Sequence, residues 1–202
     1  MAMMKILTCS LIALMIVIPI YVYGYATNIA FLDCACKWDK RQITVWIENS
    51  EESKYTDYVV EAFNTWHTNF PELQYSIHTD KPAEWDIHVK IVDKYLDEEN
   101  PSILAKTDIR ASWGSASIEK VFITIPTHVV IIAESEQIQF NKMNDIMFYN
   151  IILHETGHAI GLGHANENEE RMIDPMFKYI DSDEERRSVS KIDVMTLERL
   201  YR

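Results

Sequence analysis

Positive charge is scarce in this chain: 19 Lys+Arg stand against 31 Asp+Glu, for a formal net charge of −12 and a pI near 5.0. No basic patch and no interleaving of basic with aromatic residues occurs anywhere, which argues against a nucleic-acid partner. An acidic surface of this kind serves solubility first. Cysteine is rarer still, with Cys9, Cys34 and Cys36 alone. Cys9 lacks small residues just before it, so it does not read as a lipid-anchor signal. A bridge between Cys34 and Cys36 would be strained at that spacing, which leaves intermolecular pairing or free thiols open. Internal repeats, low-complexity linkers and disordered composition are absent too. What remains is 202 residues with 48% apolar content, enough for the core of one domain.

One long uncharged run stands apart from that domain. Ile6 to Ala26 follows Lys5 as 21 residues without charge, with Pro19 inside it. It reads as a signal peptide or a membrane anchor. Gly24-Tyr25-Ala26 puts small residues at −3 and −1 of a cleavage site after Ala26. With Lys5 held on the cytoplasmic side, the rest is expected outside the cell, secreted or anchored to the outer face of the membrane. Membrane contact is then expected only through residues 1–26, if they stay uncleaved. Residues 27–37 form a short N-terminal segment, and 38–202 form the domain, expected to be a monomer.

Along the domain, Arg41 to Glu48 is rich in β-branched and aromatic residues and predicts a strand. From Tyr55 to Asn69 the apolar residues Tyr55, Val59, Ala62, Phe63 and Trp66 recur at helical spacing, and Pro71 ends the run. Leu73–His78 and Asp86–Val92 read as strands, then Ala105–Arg110, Val121–Ile125 and Val129–Ala133. The loop between Asp93 and Pro101 is acidic, but its spacing matches no calcium-binding loop, so Ca²⁺ has no support from the sequence. Asn144 or Asp145 can cap a helix with an apolar body at Met147, Phe148, Ile151, Ile152 and Leu153, and a last helix spans Asp193–Tyr201, capped by Ser190 or Asp193. Alternating strands and helices predict an α/β (α+β) fold, a twisted, mixed and mostly parallel sheet with two long helices.

The apolar helix leads into His154-Glu155-Thr156-Gly157-His158-Ala159-Ile160-Gly161-Leu162-Gly163-His164, which reads H-E-x-x-H-x-x-G-x-x-H. On a helix His154 and His158 stand one turn apart on one face, where two imidazoles can share a Zn²⁺. Glu155 lies beside that face, placed to accept a proton from water. Gly161 can end the helix in a left-handed conformation, and His164 swings back as a third nitrogen ligand. Three neutral imidazoles leave a fourth zinc position open, the mark of a catalytic site. The expected chemistry is hydrolysis of peptide bonds with Glu155 as general base. A metal-binding or adhesion module without catalysis is the alternative.

The motif resembles the signature of the metzincin zinc endopeptidases, and its surroundings are most similar to the matrixin (matrix metalloproteinase-like) catalytic domain in a minimal microbial form. The resemblance runs over residues 38–202 and includes the final Asp193–Tyr201 stretch, similar to the matrixin C-terminal helix. It implies a Met-turn methionine eight residues after the third His, at Met172, with Met176 in Pro175-Met176-Phe177 as the alternative. It also implies a protein or peptide substrate lying extended along an edge strand within Ala105 to Ile118, with Ser112, Trp113, Gly114, Ser115 and Ala116 nearest the metal. Pro175, Phe177 and Tyr179 would wall a pocket for an apolar side chain. Animal matrixins carry a structural zinc and calcium sites in a Gly-rich loop. Here Ser102 to Ile125 holds no His and one Gly, so no structural zinc is expected.

Overall fold

The computed structural model describes residues 29–31, 35–48, 52–96, 103–112, 114–132, 138–165, 174–180 and 185–202. The expected leader or anchor at 1–26, the loop acids Asp97 to Glu99, Trp113 and Met172 lie outside the described residues. Among the described residues no helix is long and apolar enough to cross a membrane.

In β2 (Gln42–Glu48) Ile43, Val45 and Ile47 are fully buried, while Thr44, Trp46 and Glu48 face the other way. That two-residue period assigns one sheet face to the core. The helix α1 (Ser53–Asn69) then buries the stripe Tyr55, Val59, Ala62, Phe63 and Trp66 against it. The crossover delivers β3 (Gln74–His78) parallel to β2. On the other side of β2 come β4 (Ile87–Lys94) and then β6 (Ser117–Ile132), both parallel. The strand β5 (Lys106–Ser112) runs antiparallel to β6 and ends the order β3-β2-β4-β6-β5. This is the mixed, mostly parallel sheet that the sequence predicts.

The outer sheet face is closed by rings and cations. Trp46 and His88 stack at 4.0 Å, and Lys81, Arg110 and Lys120 sit over Trp46, Phe122 and Trp85. Such contacts shield apolar surface where, among the described residues, no second helix layer covers it.

Two strand segments expected separately, Val121–Ile125 and Val129–Ala133, join into one strand that runs to Ile132. Pro126 sits beyond the last β5 rung at Thr124, where its missing N–H costs no bond to that neighbour. The strand β7 (Ile138–Lys142), paired with the far end of β6, has no counterpart in the sequence reading. Its side chains are mostly exposed, so no buried alternation announces it.

Asn144 caps α2 (Asp145–Ala159) by accepting from the Met147 N–H at 2.8 Å. Nearly all of α2 from Met147 onward is buried. Its final carbonyls, which lack helical donors, find side-chain donors instead. Trp38 Nε1 donates to the Ala159 carbonyl at 2.9 Å, and Tyr201 Oη donates to that of Ile160 at 3.0 Å. Nearly two turns earlier in the helix, Trp66 Nε1 donates to the Leu153 carbonyl at 2.9 Å. A short strand β8 (Leu162–Ala165) follows and pairs antiparallel with β1 (Ile29–Phe31). Part of the N-terminal segment is therefore tied to the strand that carries His164. Cys36, in that same segment, is buried and disulfide-bonded, which removes the free-thiol alternative for it.

The last helix, α3 (Lys191–Leu200), opens with a reciprocal capping box. Asp193 N–H donates to Ser190 Oγ, and Ser190 N–H donates to Asp193 Oδ2. The other oxygen, Asp193 Oδ1, is buried without a hydrogen-bond partner. Burial first, and the neighbouring Asp174 charge second, push the Asp193 carboxyl up to about 7. The folded state thus holds a proton that the unfolded chain releases near its ordinary value of 3.8. Its contribution to stability is present at low pH and lost as pH rises through about 7. Asp193→Asn keeps an acceptor for the cap and removes the charge. Urea unfolding across pH 5 to 8 should show the variant gaining on wild type as pH rises, by roughly 2–4 kcal/mol. A constant difference across that range would refute the shared-burial account.

Candidate metal centre

The α2 helix brings His154 and His158 to one face, and the turn at Gly161 returns His164 beside them. The His154 and His158 rings meet edge to face with centroids 4.5 Å apart, and His164 lies 5.2 Å and 4.8 Å from them. One ring nitrogen from each lies within 4.8 Å of the others. Among the described residues this is the group of three or more His, Cys, Asp or Glu side chains placed to hold a metal ion.

Backbone carbonyls set the tautomers. His154 Nδ1 donates to the Pro175 carbonyl at 2.7 Å, and His158 Nδ1 donates to the Leu162 carbonyl at 2.8 Å. Each neutral ring then has a bare Nε2. The two Nε2 atoms lie 2.9 Å apart, so two lone pairs face one another with no proton between them. A shared cation resolves that repulsion. Zinc with Zn–N bonds of about 2.0–2.1 Å would space tetrahedral ligand nitrogens by about 3.3 Å, close to this separation. The residues therefore fit the metal.

Burial keeps the rings neutral. It holds His154 well below the ordinary histidine range, aided by the neighbouring His158, and it lowers His158 as well. His164, more exposed, is lowered by partial burial, then by His158 and Lys178, to about 4. At neutral pH all three are unprotonated, as nitrogen ligands must be.

Glu155 is buried beside them, and burial raises its carboxyl to about 7 against the opposing effect of the Thr107 hydroxyl. Thr107, on β5, hydrogen-bonds to Glu155 Oε2. This contact was not expected from the sequence. Of the stretch expected nearest the metal, Ser112 ends β5 and Gly114 to Ala116 form the turn beyond it, where the Ala116 carbonyl accepts from the Lys37 N–H at 3.0 Å. Gly114 and Ser115 there are exposed, and Gly114 has open space around it.

Below the histidines lies the segment 174–180. Pro175 provides the carbonyl for His154, and Phe177 is buried, while Tyr179 is 55% exposed and meets Phe177 edge to face at 5.8 Å. Met176 is completely buried, and a Cβ added to Gly157 would overlap its Sδ. Its carbonyl accepts from Ala165 N–H at 2.8 Å, which ties it to β8. Met176 thus lies against the helix turn between the first two histidines. Buried Arg187 pins this segment, donating to the carbonyls of Asp174 at 3.2 Å, Phe177 at 2.9 Å and Tyr179. Nothing in the sequence distinguishes Arg187 from its neighbour Arg186.

A family model for the matrixins, peptidase family M10, matches residues 37–202. The chain belongs to the matrixin family. No curated protein matches it. Matrixins are zinc-dependent peptidases, so membership carries metallopeptidase chemistry, zinc and a protein or peptide substrate at the level of the family, and the histidine triad of this matrixin is able to bind the metal. Calcium has no support.

Gly161 is the hinge of this arrangement, with φ of +104°, and a Cβ there would meet the Cys36 carbonyl and Leu200 Cδ2 at 2.6 Å each. Gly161→Ala should destabilise the protein by about 1–3 kcal/mol in urea unfolding and weaken zinc retention, because β8 must shift with His164. Wild-type stability and zinc content in that variant would refute the hinge role.

Proposed function

We propose that this matrixin is an exported zinc endopeptidase in which His154, His158 and His164 hold one catalytic zinc and Glu155 is the general base. The observation that carries the reading is the pair of bare Nε2 atoms 2.9 Å apart, next to the buried Glu155 carboxyl. When bound, zinc supplies a Lewis acid for the scissile carbonyl and for the attacking water.

The chain's own residues do the rest. The Pro175 and Leu162 carbonyls hold two imidazoles in the ligating tautomer. Glu155, with an affinity for protons near neutral pH, accepts one from water and passes it to the leaving amine. Met176 forms the apolar floor under the histidines. The edge of β5, which no other described strand pairs, would receive an extended peptide by backbone hydrogen bonds, and Pro175, Phe177 and Tyr179 would border a pocket for an apolar side chain. Export is supported by the uncharged run Ile6–Ala26, and mass spectrometry of the native N-terminus distinguishes cleavage from anchoring.

Glu155→Ala should keep its zinc and lose turnover by about 10²–10⁴-fold on a quenched peptide, while His158→Ala should lose the metal itself. Metal analysis alongside the peptide assay, with and without a chelator, reads both effects. Turnover in Glu155→Ala equal to wild type would remove the general-base role. A wild-type protein that binds zinc but cleaves no peptide would favour a silent metal-binding module.

A further inference from the structure

We propose that Thr107 is a positioning residue for Glu155: its hydroxyl fixes one carboxylate oxygen and leaves the other free to face the histidine triad. The proposal rests on Glu155 being the general base and adds the group that orients it.

The strand β5 alternates, with Lys106, Asp108 and Arg110 exposed and Thr107, Ile109 and Ala111 turned towards the interior. Thr107 is thereby aimed at α2. Its Oγ1 hydrogen-bonds to Glu155 Oε2 and lies 3.3 Å from the Glu155 backbone carbonyl. A hydroxyl has one proton to donate, and the carboxylate oxygen is the stronger and nearer acceptor. Among the described residues no other side chain hydrogen-bonds to this carboxylate. A glutamate otherwise rotates about its last torsion at little cost, because that torsion is broad. The Thr107 bond removes this freedom and selects which oxygen points at the metal ligands.

The strand that does this is also, among the described residues, an edge of the sheet. A peptide pairing with β5 would therefore bear on the same backbone that holds the base in place. Docking and base orientation become one mechanical unit, which places Thr107 outside the chemistry but inside its geometry.

Two substitutions separate this role from simple packing. Thr107→Val keeps the β-branched shape and removes the hydroxyl, while Thr107→Ser keeps the hydroxyl. With zinc content verified in each protein, Thr107→Val should lower kcat by about 10–100-fold with KM changed less than about twofold, and Thr107→Ser should recover most of the loss. A second readout needs no turnover. In urea unfolding of metal-free protein, the effect of Thr107→Val should shrink on a Glu155→Ala background, as expected of two groups in direct contact. Wild-type kcat in Thr107→Val, equal impairment in Thr107→Val and Thr107→Ser, or strict additivity with Glu155→Ala would each overturn the proposal. If instead Glu155→Ala itself turned over peptide like wild type, the general-base reading would fail, and that outcome is read from a different variant.

Discussion

Two imidazole nitrogens without protons are held 2.9 Å apart in this protein, and the rest of the structure is arranged to keep them so. Each ring has spent its one N–H on a backbone carbonyl, so neither can relieve the contact by donating to the other. Burial prevents the alternative escape of taking up a proton. A cation is the remaining solution, and it explains why so many elements converge on one helix end. The apolar α2 resists fraying, Trp38 and Tyr201 satisfy its last carbonyls, and β1 and Met176 tie down the strand bearing His164. A metal ligand displaced by an ångström loses much of its binding, so this framework is a functional requirement as much as a stabilising one.

The same region concentrates groups whose protonation is set by exclusion of water. Glu155 and Asp193 are both raised to about 7, but by different neighbours. Glu155 has a hydroxyl donor that favours its charge. Asp193 has a carboxylate neighbour that opposes it. The first arrangement suits a group that must give and take a proton. The second ties Asp174, beside Met176, to the N-terminus of α3 through Ser190, whose hydroxyl donates to Asp174 Oδ2 at 3.0 Å. The segment under the histidines thus depends on the closing helix, with Arg187 holding its carbonyls from a third side.

Much of this was legible in the sequence. The spacing of three histidines, a glutamate and Gly161 follows helical geometry, which is local, so the metal ligands could be read directly. The buried faces of β2 and α1 were legible for the same reason, because periods of two and three to four survive in any context. Elements without a local pattern were not. The strand β7 is mostly exposed, β1 and β8 are too short to show a period, and the meeting of Thr107 with Glu155 depends on a strand register that no local pattern reveals.

What the sequence by itself determined is therefore the donor set, the helix that carries it and the class of sheet behind it. Each depends on residues near one another along the chain. Tertiary structure alone decided that Thr107 meets Glu155, that the Pro175 and Leu162 carbonyls choose the tautomers, and that Met176 lies against Gly157. These contacts join segments up to 48 residues apart, and several use backbone atoms that every residue possesses. A backbone carbonyl leaves no signature in a sequence, and strand register is settled only when both partners pack.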